Sequence, residues 1–179
     1  MTRLISYIIL TLFVSVKLLG QDKLSKADSL SLYAYQIDTA KTKTDSFNLS
    51  LDSIQVGVKT KTNKIATTNF FEKSKTHLTI DYYFKDNDLV LVNIAEQSPK
   101  FDDLHSYSVF YYDKGKLFDE KYRHTIRPCL AIPMDKTIYE LYGYNPTLNS
   151  DFLKAYVVKL LDKIKTTGNS AFANSMAGH

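Results

Sequence analysis

Two hydrophobic rhythms divide the chain. Leu24, Ala27, Leu30, Ala34 and Ile37 recur every three or four positions and Lys41 continues the spacing, which predicts a helix over 24–41 with one apolar stripe. Thr42 to Asp45 is polar and ends it. From Ile54 the period drops to two. Ile54, Val56 and Val58 alternate with Gln55, Gly57 and Lys59, the pattern of a half-buried strand. Thr62-Asn63-Lys64 reads as a turn and 65–71 as a second strand. A hairpin then runs from Leu78-Thr79-Ile80-Asp81-Tyr82-Tyr83-Phe84 through Asp86-Asn87, which tolerate positive φ, to Leu89-Val90-Leu91-Val92-Asn93-Ile94. A second leads from Tyr107–Tyr112 through Lys114-Gly115 to 117–126.

The two hairpins form a weak internal repeat. Tyr82-Tyr83-Phe84, four turn residues and Leu89-Val90 return 28 residues later as Phe110-Tyr111-Tyr112, four turn residues and Leu117-Phe118. Two copies do not make a solenoid, but they do imply an antiparallel meander. Pro128 and Pro133 end the sheet, since proline cannot donate to a central ladder. Asp135 opens a short helix to Tyr142, stopped by Gly143. Asn149, Ser150 or Asp151 caps a longer helix through Lys165, with Leu153, Val157, Leu160, Leu161 and Ile164 as its stripe. The fold class is therefore α+β: an antiparallel β-meander of about five or six strands flanked by an N-terminal and a C-terminal helix.

Plain alternation assigns the faces. With Lys114-Gly115 as the loop, Tyr111 opposes Phe118, and Tyr107, Val109, Tyr111, Phe118, Glu120 and Tyr122 share one face. Ser108, Phe110, Tyr112, Leu117, Asp119 and Lys121 share the other, whose mixture of rings and charges suits a half-exposed surface. In the first hairpin Ile80, Tyr82, Phe84, Leu89 and Leu91 fall together, opposite Thr79, Asp81, Tyr83, Val90, Val92 and Ile94. Rings on an open sheet face bind sugars, peptides or partner domains with little entropic cost. Phe110 and Tyr112, with Tyr83 if the sheet is continuous, are the candidate binding residues; the competing reading packs them under a terminal segment.

The N-terminus adds a compartment. Arg3, the uncharged apolar run Leu4–Val16 and then Lys17 and Leu18-Leu19-Gly20 have the order of an export signal, giving a signal peptide over 1–20. The run falls short of the roughly 20 residues a bilayer span takes, although an uncleaved anchor would use the same segment. A single domain over 21–167 and a small, polar tail over 168–179 complete the organisation. The protein is expected in the periplasm or outside the cell, with no stable membrane span once the signal is removed. Removing the first 20 of 179 residues leaves 159, long enough to bury a core without staples. The one cysteine, Cys129, permits no intramolecular disulfide and reads as a small buried hydrophobe.

Charge narrows the partners. Arg3 and Lys17 leave with the signal, which takes the 23 basic residues to 21 against 19 acidic. Only Arg123 and Arg127 remain of the arginines and no basic stripe is visible, so nucleic acid is not an expected partner. Lys59, Lys61 and Lys64 read as a solvated strand edge. Thirteen Tyr and ten Phe with few Gly and Pro favour ordered sheet over disorder.

Catalytic signatures are sparse. No G-x-S-x-G elbow, phosphate-cradling loop or dinucleotide fingerprint occurs. His77, His105 and His124 show no metal-ligand spacing, and Asp86-Asn87-Asp88 lacks the glycine and distal Glu of a calcium loop. No cofactor is called for. The one enzymatic alternative is a small hydrolase or metal-dependent enzyme using His105 with Asp102 and Asp103, a loop more simply read as a solvated connection. The leading reading is a non-catalytic exported binding or accessory module for a protein, peptide or glycan; a structural envelope protein without a ligand is a further alternative. Asp28-Ser29-Leu30, Asp38-Thr39-Ala40 and Asp52-Ser53-Ile54 resemble the short Asp-Ser/Thr-apolar sequon that some Gram-negative bacteria O-glycosylate on exported proteins.

The tandem hairpins Tyr-Tyr-Phe-Lys-Asp-Asn-Asp-Leu (82–89) and Phe-Tyr-Tyr-Asp-Lys-Gly-Lys-Leu (110–117) resemble those of small exported proteins of Gram-negative bacteria. The resemblance covers roughly residues 22–126. It implies an N-terminal signal, a helix and a short antiparallel meander, and it implies no activity. The long C-terminal helix is not part of that pattern.

Overall fold

The computed structural model describes residues 24–72, 75–97, 105–124 and 149–167. The expected signal segment, Asp102 and Asp103, Pro128, Cys129 and Pro133, the short helix expected at 135–142 and the expected tail lie outside them.

The described chain is α+β. Helix α1 (Lys26–Thr39) precedes β1 (Asp45–Leu51), β2 (Ile54–Lys61), β3 (Lys64–Phe71), β4 (Thr76–Lys85), β5 (Asp88–Gln97), β6 (His105–Asp113) and β7 (Lys116–His124), and α2 (Ser150–Thr167) follows. Every strand pairs antiparallel with its neighbours in sequence, so the sheet is an uninterrupted seven-stranded meander. The extra strand beyond the expected five or six is β1. Phe47, Leu49 and Leu51 do alternate there, but among Asp, Ser and Asn, which are poor strand formers. Its hairpin closes on Asp52 and Ser53, both at positive φ (50° and 67°), where Asn-Gly is the usual signal.

Local chemistry sets the helix ends. Ser25 caps α1, its Oγ accepting from the Asp28 backbone N–H at 3.0 Å. Asn149 does the same for α2, with Oδ1 accepting from the Phe152 N–H at 2.9 Å. Both tight turns expected in the paired hairpins are present, with Asp86 and Asn87 and then Lys114 and Gly115 at positive φ.

The two helices cover opposite faces of the sheet. Helix α2 lays Leu153, Tyr156, Val157, Leu160, Leu161 and Ile164 onto a core that includes Val56, Val58, Ile65, Ile80, Tyr82, Phe84, Val92 and Phe110. Several polar groups inside this core are paired. Tyr82 donates to the Val157 carbonyl at 3.0 Å, and Tyr156 donates to Asn69 Oδ1 at 2.9 Å. Asn69 in turn donates to Thr67 Oγ1 and the Leu78 carbonyl, so the core carries hydrogen bonds that fix α2 in register. On the other face α1 sets Ala27, Leu30 and Ala34 against a ladder of Tyr83, Leu91 and Tyr111. These small and medium residues let the helix approach closely, but they bury much less apolar surface than α2 does.

Each repeated hairpin carries a β-bulge. Tyr83 pairs with Leu91 and Phe84 with Leu89, which leaves Val90 without a partner; Tyr111 pairs with Asp119 and Tyr112 with Leu117, which leaves Phe118 over. A bulge puts two consecutive residues on one face and reverses the alternation beyond it. Val90 and Leu91 therefore both lie under α1, while Val92 and Ile94 join Tyr82 beneath α2. This corrects the plain alternation read from the sequence, which paired Tyr111 with Phe118 and placed Leu91 with Tyr82.

Candidate functional site

The three rings expected on an open face are buried. Tyr83 and Phe110 are fully enclosed and Tyr112 is 7% exposed. Phe110 and Tyr112 lie in the core under α2, whereas Tyr83 lies under α1 on the opposite side. Polypeptide covers both faces at these positions, so they cannot jointly form an exposed surface. The register reversal at Phe118 extends this correction to β7. Glu120 meets Lys154 of α2 at 2.6 Å, and the Tyr122 and Ser150 hydroxyls are 2.7 Å apart. Lys121 instead reaches Asp28 of α1 at 3.2 Å and sits 5.4 Å from the centre of the Tyr111 ring.

The enzymatic alternative gains no assembled site. His105 starts β6 and stacks on Tyr107, with ring centres 6.1 Å apart, and its proposed carboxylate partners lie outside the described residues. His77 stacks on Phe70 instead, at 4.7 Å. Among the described residues no group of three or more His, Cys, Asp or Glu could hold a metal ion.

A cleft does form beside α1. It holds about 520 Å³ and is lined by Ser31, Tyr35 and Asp38 of the helix, Asn93 of β5, Tyr111 of β6 and Lys121 of β7. Helical spacing explains the first three: positions 31, 35 and 38 form a stripe next to the Ala27-Leu30-Ala34 stripe that packs on the sheet. Asn93 arrives because it follows Leu91 by two positions on the α1 face. Lys121 arrives because the bulge at Phe118 turns it there. Ser31 Oγ lies 2.9 Å from the Tyr111 hydroxyl, which fixes the ring that floors the cleft. Tyr35 is 67% exposed at the rim.

Behind the cleft sits a compact ionic cluster. Lys64 Nζ lies 2.7 Å from Asp38 Oδ1 and 2.8 Å from Asp81 Oδ2, and the Tyr83 hydroxyl donates to Asp38 Oδ2 at 2.8 Å. Nearby, Lys61 Nζ donates to the Ile37 carbonyl at 2.7 Å, at the last turn of α1. The lysines were expected on a solvated strand edge. Instead β2 and β3 are interior strands, and Lys64 is only 11% exposed. Burial alone would lower the Lys64 pKa, but the hydrogen bonds it donates to Asp38 and Asp81 outweigh that and hold the ammonium above its ordinary value. Burial raises Asp81, with Lys64 opposing, as one cation facing two carboxylates would require. Burial also raises Tyr83, reinforced by the charge of Asp81. The cluster holds the end of α1 and the Asp38 carboxylate in one position at the wall of the cleft.

Sequence reasoning missed Tyr35, Asp38, Asn93 and Lys121 as a group. The helical spacing was legible for the first two. The position of Lys121 depends on a bulge that composition does not announce. No family model matches the chain, and no curated protein or solved structure is significantly similar to it.

Proposed function

We propose that the protein is a non-catalytic exported binding module that takes a short glycan in the cleft between α1 and strands β5 to β7. The observation that carries this reading is the lining: an exposed Tyr35 beside Asp38, Asn93 and Lys121 in one cleft, above a floor set by the buried Tyr111. The face of the Tyr35 ring can accept the C–H face of a sugar, while carboxylate, amide and ammonium groups fix its hydroxyls. A volume of about 520 Å³ suits a small ligand. A peptide end is the competing occupant. No helix among the described residues is long and apolar enough to cross a membrane.

The test is titration calorimetry with soluble envelope oligosaccharides and with short peptides, on the wild-type chain and on Tyr35→Ala and Asn93→Ala. Neither side chain belongs to the apolar core, so folding should persist. Oligosaccharide affinity should fall at least about tenfold in each variant, as loss of a stacked ring or a hydrogen-bonding amide implies. Unchanged oligosaccharide affinity in both variants, or binding of peptides alone, would remove the reading.

A further inference from the structure

The three Asp-Ser/Thr tripeptides that end in an aliphatic residue are equivalent in sequence (Asp45-Ser46-Phe47 ends in a ring instead), and the fold makes them unequal. Asp28-Ser29-Leu30 opens α1, and its third residue is buried against the sheet. Ser29 Oγ is also engaged with the Ser25 carbonyl at 3.0 Å. An enzyme reading this tripeptide would have to lift α1. Asp38-Thr39-Ala40 closes α1. There Thr39 Oγ1 donates to the Tyr35 and Gln36 carbonyls at 3.1 and 3.0 Å, and Asp38 is held by both Lys64 and Tyr83.

Asp52-Ser53-Ile54 differs on each count. Asp52 and Ser53 form the exposed tip of the β1–β2 hairpin, both at positive φ, and Ile54 is half-buried at the start of β2. Asp52 touches Lys159 at 2.6 Å, but both side chains are 57% exposed, so that contact is easily exchanged for another partner. A hairpin tip can enter a second protein's active site without disturbing the core. It also uses Asp-Ser where the turn geometry favours Asn-Gly, so turn stability does not account for the residues present.

We propose that Ser53 is an O-glycosylation site and that Ser29 and Thr39 are not modified in the folded protein. The inference rests on the exported reading, since the modifying enzyme acts in the envelope. Chemically, Ser53 Oγ attacks the anomeric carbon of a diphosphate-activated glycan. The new C–O bond forms as the bond to the diphosphate breaks, the diphosphate leaves with the electron pair, and the hydroxyl proton passes to a base of the transferase.

The test is intact mass and peptide mapping of the full protein purified from its source organism, with Asp52→Asn and Ser53→Gly alongside. Both substitutions suit positive φ, so neither variant should lose the turn. The expected result is a glycan mass increment on the peptide containing Ser53, lost in both variants. An unmodified wild-type mass, or an increment that survives in Ser53→Gly, overturns the proposal. The mature N-terminus, read in the same spectra, separates the two ideas. A processed N-terminus on an unmodified chain defeats the glycosylation site and leaves export standing, whereas an unmodified chain starting at Met1 defeats the glycosylation site and signal cleavage together.

Discussion

Replacing Lys64 with Met asks whether the ionic cluster beneath α1 is structural. The substitution keeps the apolar stem but removes the only cation that Asp38 and Asp81 share in that contact. Removing one partner of a buried pair costs about 3–5 kcal/mol, because a desolvated charge is left behind. Here the penalty is smaller. Asp38 is 42% exposed and can be rehydrated, while Asp81, at 24%, keeps most of the cost. The expected loss is about 2–3 kcal/mol. Urea denaturation at constant m-value would measure it. A lysine on a solvated strand edge would change stability by at most about 0.5 kcal/mol, so the two readings separate cleanly.

Two further arms identify the cause. Leu at position 81 in the Lys64→Met background removes the orphaned carboxylate, and the double variant should regain most of the loss, since replacing a buried pair by apolar groups is often neutral. The deficit of the single variant should also shrink on acidification. Burial already holds the Asp81 carboxyl above the usual range, and without Lys64 it rises further. A carboxyl with a folded-state pKa above its unfolded value destabilises the fold when ionised, and it gives that stability back as pH falls through the folded value. A deficit below about 0.5 kcal/mol, or one that is independent of pH and not relieved by the second substitution, refutes the argument.

Other perturbations test other layers. Leu160→Ala, at a fully buried position under α2, should cost about 2–5 kcal/mol by urea denaturation, whereas a value under about 1 would mean that α2 is not the core-forming helix. Stability should hold through neutral pH and fall above about pH 10. Burial raises the phenols of Tyr82, Tyr83, Tyr112 and Tyr156, and the two carboxylates raise Lys64, so the folded chain keeps protons that the unfolded chain releases. Each such group contributes a slope of up to about 1.4 kcal/mol per pH unit; denaturation midpoints that stay level between pH 9 and 11 would show that these hydroxyls titrate normally.

Much of the architecture was legible in the sequence. Both described helices, six of the seven strands and the two repeated turns follow from period, caps and positive-φ residues. β1 escaped because Phe47, Leu49 and Leu51 are diluted by Asp45, Ser46, Asn48 and Ser50. The lysines were misjudged for different reasons: the missing β1 made β2, with Lys59 and Lys61, look like an edge, whereas Lys64 was read as part of the 62–64 turn although it opens β3 opposite Tyr83 of β4. The cleft residues on α1 were legible as a stripe. Their partners on β5 and β7 were not, because they depend on how far each strand has rotated by the time it passes the helix.

That rotation comes from the two bulges, and they account for the rest of the face assignment. Val90 and Phe118 occupy equivalent places in the repeat, each just beyond the first residue after its turn, and each adds a side chain to the α1 face. Val90 joins the cluster under α1, and Phe118 meets Tyr111 at 6.2 Å and Lys26 at 5.0 Å. A bulged strand also twists more strongly, which suits a helix that must cross several strands on a shallow apolar footprint of Ala27, Leu30 and Ala34. Without the inserted residue in β7, Lys121 would turn toward α2 and Glu120 toward α1. The cleft would then lose its ammonium and gain a carboxylate beside Asp38. The charge of the candidate site is thus set by backbone register. A sequence read by strict alternation assigns that charge the wrong sign even with every strand correctly placed.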